Sequence, residues 1–327
     1  MLRHVAIAAI VAAAMPTLAF DLQGHRGARG LAPENTLPAF AAALSLGVDT
    51  LELDTGVTKD GIVVIGHDPR LNPAVTRGPD GQWLAATGAA IRDLTWEELQ
   101  RYDVGRIQPG TRYAETFASQ KPIDGTRMPR LADLFALVKK SGNDTVRFNI
   151  ETKITPVDPQ ATVPPEPFAR ALIQAIRDAG MTQRSTIQSF DWRTLQIVQR
   201  EAPEIATVYL TFRRYPDSGN LHRNSSALTP WTAGFDLSAH GGSVPRMVHA
   251  AGGRIWSPFH GDLDDQDLAE AKRLGIQVVV WTVNQPADMI RLIERGVDGI
   301  ITDRPDLLRQ VMADKGMTLP RPTPVAP

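Results

Sequence analysis

Along most of the chain, short apolar runs alternate with longer stretches in which apolar residues recur every three or four positions. The short runs, at 22–25, 50–54, 146–151, 185–189, 206–210, 254–257, 277–282 and 298–302, read as β-strands. Helical patterns lie between most of them, at 37–46, 130–140, 167–179, 191–200, 264–274 and 286–295. Strand alternating with helix predicts a parallel sheet, and eight such units predict an α/β fold closed as a (β/α)8 barrel. A doubly wound open sheet is the main rival, but no glycine-rich dinucleotide loop supports it.

The rhythm breaks in a few places. Residues 55–68 read as a hairpin-like extension, with Lys59-Asp60-Gly61 as the turn and a short apolar strand after it. Residues 69–129 are rich in Gly, Pro and Arg and contain Trp83, Trp96 and Tyr102. They predict an insertion after the second strand, lying over the barrel mouth. Loops follow at 156–167 and 215–242, and a proline-rich tail at 319–327 is expected to be disordered.

Active sites of such barrels sit at the carboxyl ends of the strands. Those ends carry His25-Arg26, Glu52 and Asp54, Glu151 and Lys153, Gln188-Ser189, Trp281-Thr282 and Thr302-Asp303. Glu52 and Asp54 are two apart on one strand and so share a face. Two carboxylates on one face repel unless a cation or proton lies between them. Glu151, ending the next parallel strand, can complete a set of three. Three carboxylates suit one divalent cation, Ca²⁺ or Mg²⁺, better than zinc; pairing with nearby Arg or Lys is the structural alternative. His25 and His67 can move protons around one phosphorus, and Arg26 and Lys153 can hold phosphate oxygens. Asp68 orients His67, binds metal or caps a turn. Asn35 reads as the N-cap of the first helix, and Glu34 lies beside the first strand's end. Trp281 offers a platform for substrate.

At 43% hydrophobic and 22% charged the chain is globular, and a net charge of −1 gives no basic field for nucleic acid. The absence of cysteine excludes thiol catalysis and disulfides. Arg3 and His4, the apolar run 5–14 and Thr17-Leu18-Ala19 read as a signal peptide, residues 1–19, cleaved after Ala19. The run is too short to anchor the chain in a bilayer. The expected mature protein is a periplasmic or secreted barrel domain, residues 20–318, followed by the tail, with a monomer as the default.

The blocks HRGARGLAPENT, LELDTGVTKDGIVVIGHD, NIETK, IQSFD, VVWTVN and GVDGIITDRP occur in that order across residues 24–305. In them the chain resembles the glycerophosphodiester phosphodiesterase family. The resemblance implies a TIM barrel with a divalent-cation site that hydrolyses a small glycerophosphodiester to sn-glycerol 3-phosphate and an alcohol. It implies Glu52, Asp54 and Glu151 as metal ligands and His25 and His67 as the catalytic pair. It puts Arg26, Glu34 and Lys153 around the phosphate or the metal, and Trp281 in an apolar wall. The chain departs from the family after His67-Asp68. Pro69-Arg70-Leu71-Asn72-Pro73 replaces a Leu-Asp-Arg-Thr-Thr-like stretch, which bears on contacts to the substrate's variable end. Rival functions are a lysophospholipase D-like enzyme with an acyl channel in the insertion, a glycosidase, and an exported protein that binds phosphodiesters without cleaving them.

Overall fold

The computed structural model describes residues 20–327. The expected signal peptide lies outside the described residues. Nine strands form one sheet: β1 (Asp21–Gly24), β2 (Thr50–Val57), β3 (Val63–Ile65), β4 (Arg147–Thr152), β5 (Ser185–Ser189), β6 (Ala206–Thr211), β7 (Ile255–Pro258), β8 (Gln277–Val280) and β9 (Gly299–Thr302). All but β3 are parallel, and β1 pairs with both β2 and β9, which closes an eight-stranded barrel. β3 runs antiparallel to β2 as the second arm of the expected hairpin.

Helices α1 (Leu37–Leu46), α4 (Leu131–Lys140), α5 (Pro165–Asp178), α6 (Trp192–Glu201), α7 (Val244–Ala250), α8 (Asp265–Arg273), α9 (Pro286–Arg295) and α10 (Pro305–Asp314) surround the barrel. Two of these were not anticipated. Helix α7 is too short for a periodic signal and is started by the Ser243 side chain, which accepts from the Arg246 N–H. In α10, Leu308, Val311 and Met312 are buried behind a proline-started first turn.

Leu51 and Leu53 on β2 are fully buried in the layer between strands and helices. Their neighbours Glu52 and Asp54 therefore point into the barrel, as alternation requires. On the β1–β5 side the barrel's inside is polar. The Asn149 amide donates to Gln23 Oε1 at 3.0 Å and Gln188 Oε1 at 2.9 Å, and Gln188 donates to Glu52 Oε1 at 2.6 Å. A hydrogen-bonded column thus supports the carboxylate from below, leaving its buried polar groups paired.

The insertion holds α2 (Trp96–Leu99) and α3 (Arg112–Thr116), and its Leu71, Ile91, Leu99 and Met128 pack with Val64 of β3 in a second small core. The tail is not free. Thr323 N–H donates to Leu44 O, Asn143 Nδ2 to Thr323 Oγ1, and Arg309 to Pro320 O. Proline composition suggested disorder, but these specific bonds dock the tail against α1 and its neighbours. No described helix is long and apolar enough to cross a membrane.

Candidate active site

Register places the carboxylates. Asp54 on β2 stands opposite Glu151 on β4, which stands opposite Gln188 on β5. Ligand oxygens of Glu52, Asp54 and Glu151 lie within 4.8 Å of one another, and all three residues are buried. They line a cavity of about 180 Å³ at the carboxyl end of the barrel, together with His25, Arg26, His67, Lys153 and Trp281. Eight of the nine residues singled out in the sequence thus meet in one place. The ninth, Glu34, stands behind Arg26 and holds its Nη1 at 2.6 Å.

The loop after β1 makes this possible by turning sharply. Arg26 and Gly27 take consecutive left-handed conformations, with φ of 51° and 86°. A Cβ at Gly27 would sit 2.7 Å from the Ala39 carbonyl carbon, so only glycine fits. The turn aims the Arg26 N–H at Glu52 Oε2, 2.9 Å away, and lays the guanidinium 3.1 Å from Asp54 Oδ2. Asn35 also has positive φ and is not the helix cap; Thr36 is. Asn35 instead donates to Asp54 Oδ2 at 2.9 Å and accepts from the Asp54 N–H. The expected cap was off by one residue, and the Asn35 amide serves the carboxylate instead.

Each histidine is backed by an aspartate. His25 Nδ1 lies 2.6 Å from Asp303 Oδ1, and His67 Nδ1 lies 2.8 Å from Asp68 Oδ1. Asp68 also accepts from Asn72, so of its expected uses it takes the orienting one. Asp303 is gripped by Arg29 through both oxygens, at 2.7 and 3.0 Å, and by Asn284 at 2.7 Å. Its charge is therefore largely spoken for. Burial and then Arg29 push His25 down to about 4 in spite of Asp303. Burial and then Arg26 lower His67 as well.

Burial opposes ionisation of Asp54, yet Arg26, His67 and Lys153 override it and hold it well below the usual carboxylate range. Glu52 moves the other way, driven up by burial and by Asp54. Burial raises Glu151 to about 7 although Lys153 Nζ lies 2.9 Å from its Oε1. Three carboxylates held this close thus cannot all ionise comfortably, and an added divalent charge would let them. Hard oxygen donors on rigid strands fit Ca²⁺ or Mg²⁺. Arg26 Nε is buried without an aligned acceptor, which leaves this edge of the site polar and unsatisfied.

Sequence reasoning passed over Arg29 and Tyr113 and left Asp303 without a role. Tyr113, on α3 of the insertion, donates its hydroxyl to Glu34 Oε2. Arg29 lies over the Phe117 ring, 4.5 Å from its centroid. Phe190 and Trp281 also line the cavity, and behind them Phe212 and Phe259 complete a cluster of rings in edge-to-face or tilted contact, with centroids 4.9–5.6 Å apart. All four are half-buried.

The model of the glycerophosphoryl diester phosphodiesterase family matches residues 25–307. The chain belongs to that family. It is 30% identical over 292 residues to a glycerophosphodiester phosphodiesterase of Caldanaerobacter subterraneus, covering 89% of this chain and 97% of the relative. A crystal structure from Silicibacter pomeroyi, assigned to the same phosphodiesterases, superposes with a TM-score of 0.81 at 33% identity, over 93% of this chain and 96% of that one. An Oleispira antarctica phosphodiesterase, solved with its product sn-glycerol 3-phosphate, shares the fold at a TM-score of 0.62 and 20% identity, over 90% of this chain and 96% of that one.

Proposed function

We propose that this protein is an exported, metal-dependent phosphodiesterase that hydrolyses glycerophosphodiesters to sn-glycerol 3-phosphate and an alcohol. The observation that carries the proposal is one cavity lined by three buried carboxylates and two histidines, each histidine backed by an aspartate. Membership of the family supports the same reading.

Glu52, Asp54 and Glu151 would hold the cation. When bound, it supplies Lewis-acid polarisation of a phosphoryl oxygen and offsets developing negative charge. Lys153 and the free edge of the Arg26 guanidinium attract the other phosphoryl oxygens. Glu34 and Tyr113 fix Arg26 in place. His25, neutral at pH 7 with Nδ1–H given to Asp303, presents the Nε2 lone pair to the cavity and takes a proton from the nucleophile. His67, with 32% of its side chain exposed, exchanges protons with solvent and in its protonated form donates to the leaving oxygen. The nucleophile is water or the glycerol 2-hydroxyl, the second route passing through a cyclic phosphate. The aromatic wall excludes water from the glycerol carbons.

The test is ³¹P NMR of glycerophosphoethanolamine incubated with protein and Ca²⁺ or Mg²⁺. Glycerol 3-phosphate is the expected product. Phosphoethanolamine with free glycerol would mean that the other phosphorus–oxygen bond is cut. A lysolipid reading needs an acyl channel, and the cleft lined by Leu71, Ile107 and Met128 of the insertion holds only about 50 Å³.

A further inference from the structure

Beside the catalytic cavity lies a second cleft, and the His67 side chain lines both. Its apolar lining includes Leu71, Ile107 and Met128 of the insertion. Among the charged side chains around it, Glu34 is engaged by Arg26 and Tyr113, Asp68 by His67 and Asn72, and Arg106 by Asp124. Arg70 is different: among the described residues no carboxylate lies within 4.0 Å of its guanidinium. It sits in the segment where the chain departs from its family's pattern, directly after His67-Asp68-Pro69.

Resting on the proposed hydrolysis, we infer that this cleft receives the leaving alcohol and that Arg70 recognises an anionic group on it, a carboxylate or a phosphate. His67 lines both spaces, so the cleft lies directly beside the ring proposed to protonate the departing oxygen. The cleft holds about 50 Å³. That is room for roughly three to five water-sized groups, enough to seat the anionic end of a small polar alcohol and far short of an acyl chain. An arginine with no carboxylate of its own offers a planar pair of donors, the geometry that suits carboxylate and phosphate oxygens. Cationic headgroups gain nothing there, because the two acidic linings are already paired.

Two substrate pairs test this. Glycerophosphoserine differs from glycerophosphoethanolamine by one carboxylate. Glycerophosphoglycerol 3-phosphate differs from glycerophosphoglycerol by one phosphate. The readout is the ratio of kcat/KM, anionic over its partner, within one protein preparation, so partial misfolding does not move it. In the wild-type protein at least one ratio is expected near ten, a charge-assisted bond being worth about that factor. Arg70→Gln should bring that ratio close to one, Arg70→Lys should keep part of it, and Arg70→Glu should invert it. Whichever pair responds names the anion. Equal ratios in wild type and Arg70→Gln, or wild-type ratios near one while the neutral diesters are cleaved, would overturn the subsite and leave the phosphodiesterase standing. Failure to cleave any of the four would remove both.

Discussion

The two halves of the catalytic cavity are built from different chemistry. Every ionisable side chain lining it comes from β1 to β4 and the loops that follow them: His25, Arg26, Arg29, Glu52, Asp54, His67, Glu151 and Lys153. From β5 onward the lining is Gln188, Phe190, Leu210, Trp281, Thr282 and Ile301, with no charge among them. A glycerophosphodiester has the same asymmetry, a charged phosphorus centre attached to a carbon chain. Under the proposed function, the first half would hold and activate the phosphate, and the second would shield what is attached to it.

If that division is right, substitutions in the two halves should separate into effects on turnover and effects on binding. The largest effect is expected from His25→Ala and His67→Ala, each lowering kcat by roughly 10²–10⁴-fold. Steady-state kinetics that leave both variants active would break the comparison at its centre. Next come Phe190→Leu and Trp281→Leu. Losing part of a ring contact should raise KM by up to about tenfold with kcat changed by less than about threefold. A kcat loss in these variants as large as in the histidine variants would erase the distinction.

Smaller effects sharpen it. Tyr113→Phe removes the hydroxyl that braces Glu34 behind Arg26. A few-fold loss in kcat/KM is expected, carried by the charged half even though Tyr113 belongs to the insertion. Outside both halves, Asp49 gives a stability prediction without a catalytic one. Burial raises its carboxyl to about 6 from a usual value near 4. The folded state therefore retains a proton that the unfolded chain releases between about pH 4 and pH 6, and stability falls across that window as pH rises. Asp49→Asn keeps an acceptor for the Leu22 N–H and removes the buried charge. Thermal melts at pH 8 should show a rise of a few degrees, worth about 1–3 kcal/mol, and the gain should shrink at pH 4. Unchanged activity is expected throughout.

Much of the charged half was legible because it lies on regular elements. Alternation on β2 put Glu52 and Asp54 on one face, and the parallel order put Glu151 beside them. The eight barrel strands were readable for the same reason: each is a short apolar run bounded by polar ends. What escaped depends on contacts between distant segments. Asp303 becomes a partner of His25 only because β9 closes onto β1, bringing together residues 278 positions apart. Tyr113 reaches Glu34 only through the fold of an irregular insertion, whose short helices carry little periodic signal. Asn35 and Thr36 are both good caps, and the choice rested on the positive φ at Asn35 that the turn after β1 imposes. The tail's docking depends on single hydrogen bonds that composition does not encode.

The most direct measurement is release of glycerol 3-phosphate from glycerophosphoethanolamine by EDTA-stripped protein, with Ca²⁺ and Mg²⁺ restored separately, for the wild type and Glu151→Gln. The account predicts no release from stripped protein, recovery with at least one cation, and a higher cation requirement in Glu151→Gln. Full activity of folded, stripped protein, or a Glu151→Gln variant indistinguishable from wild type in its cation requirement, would contradict it.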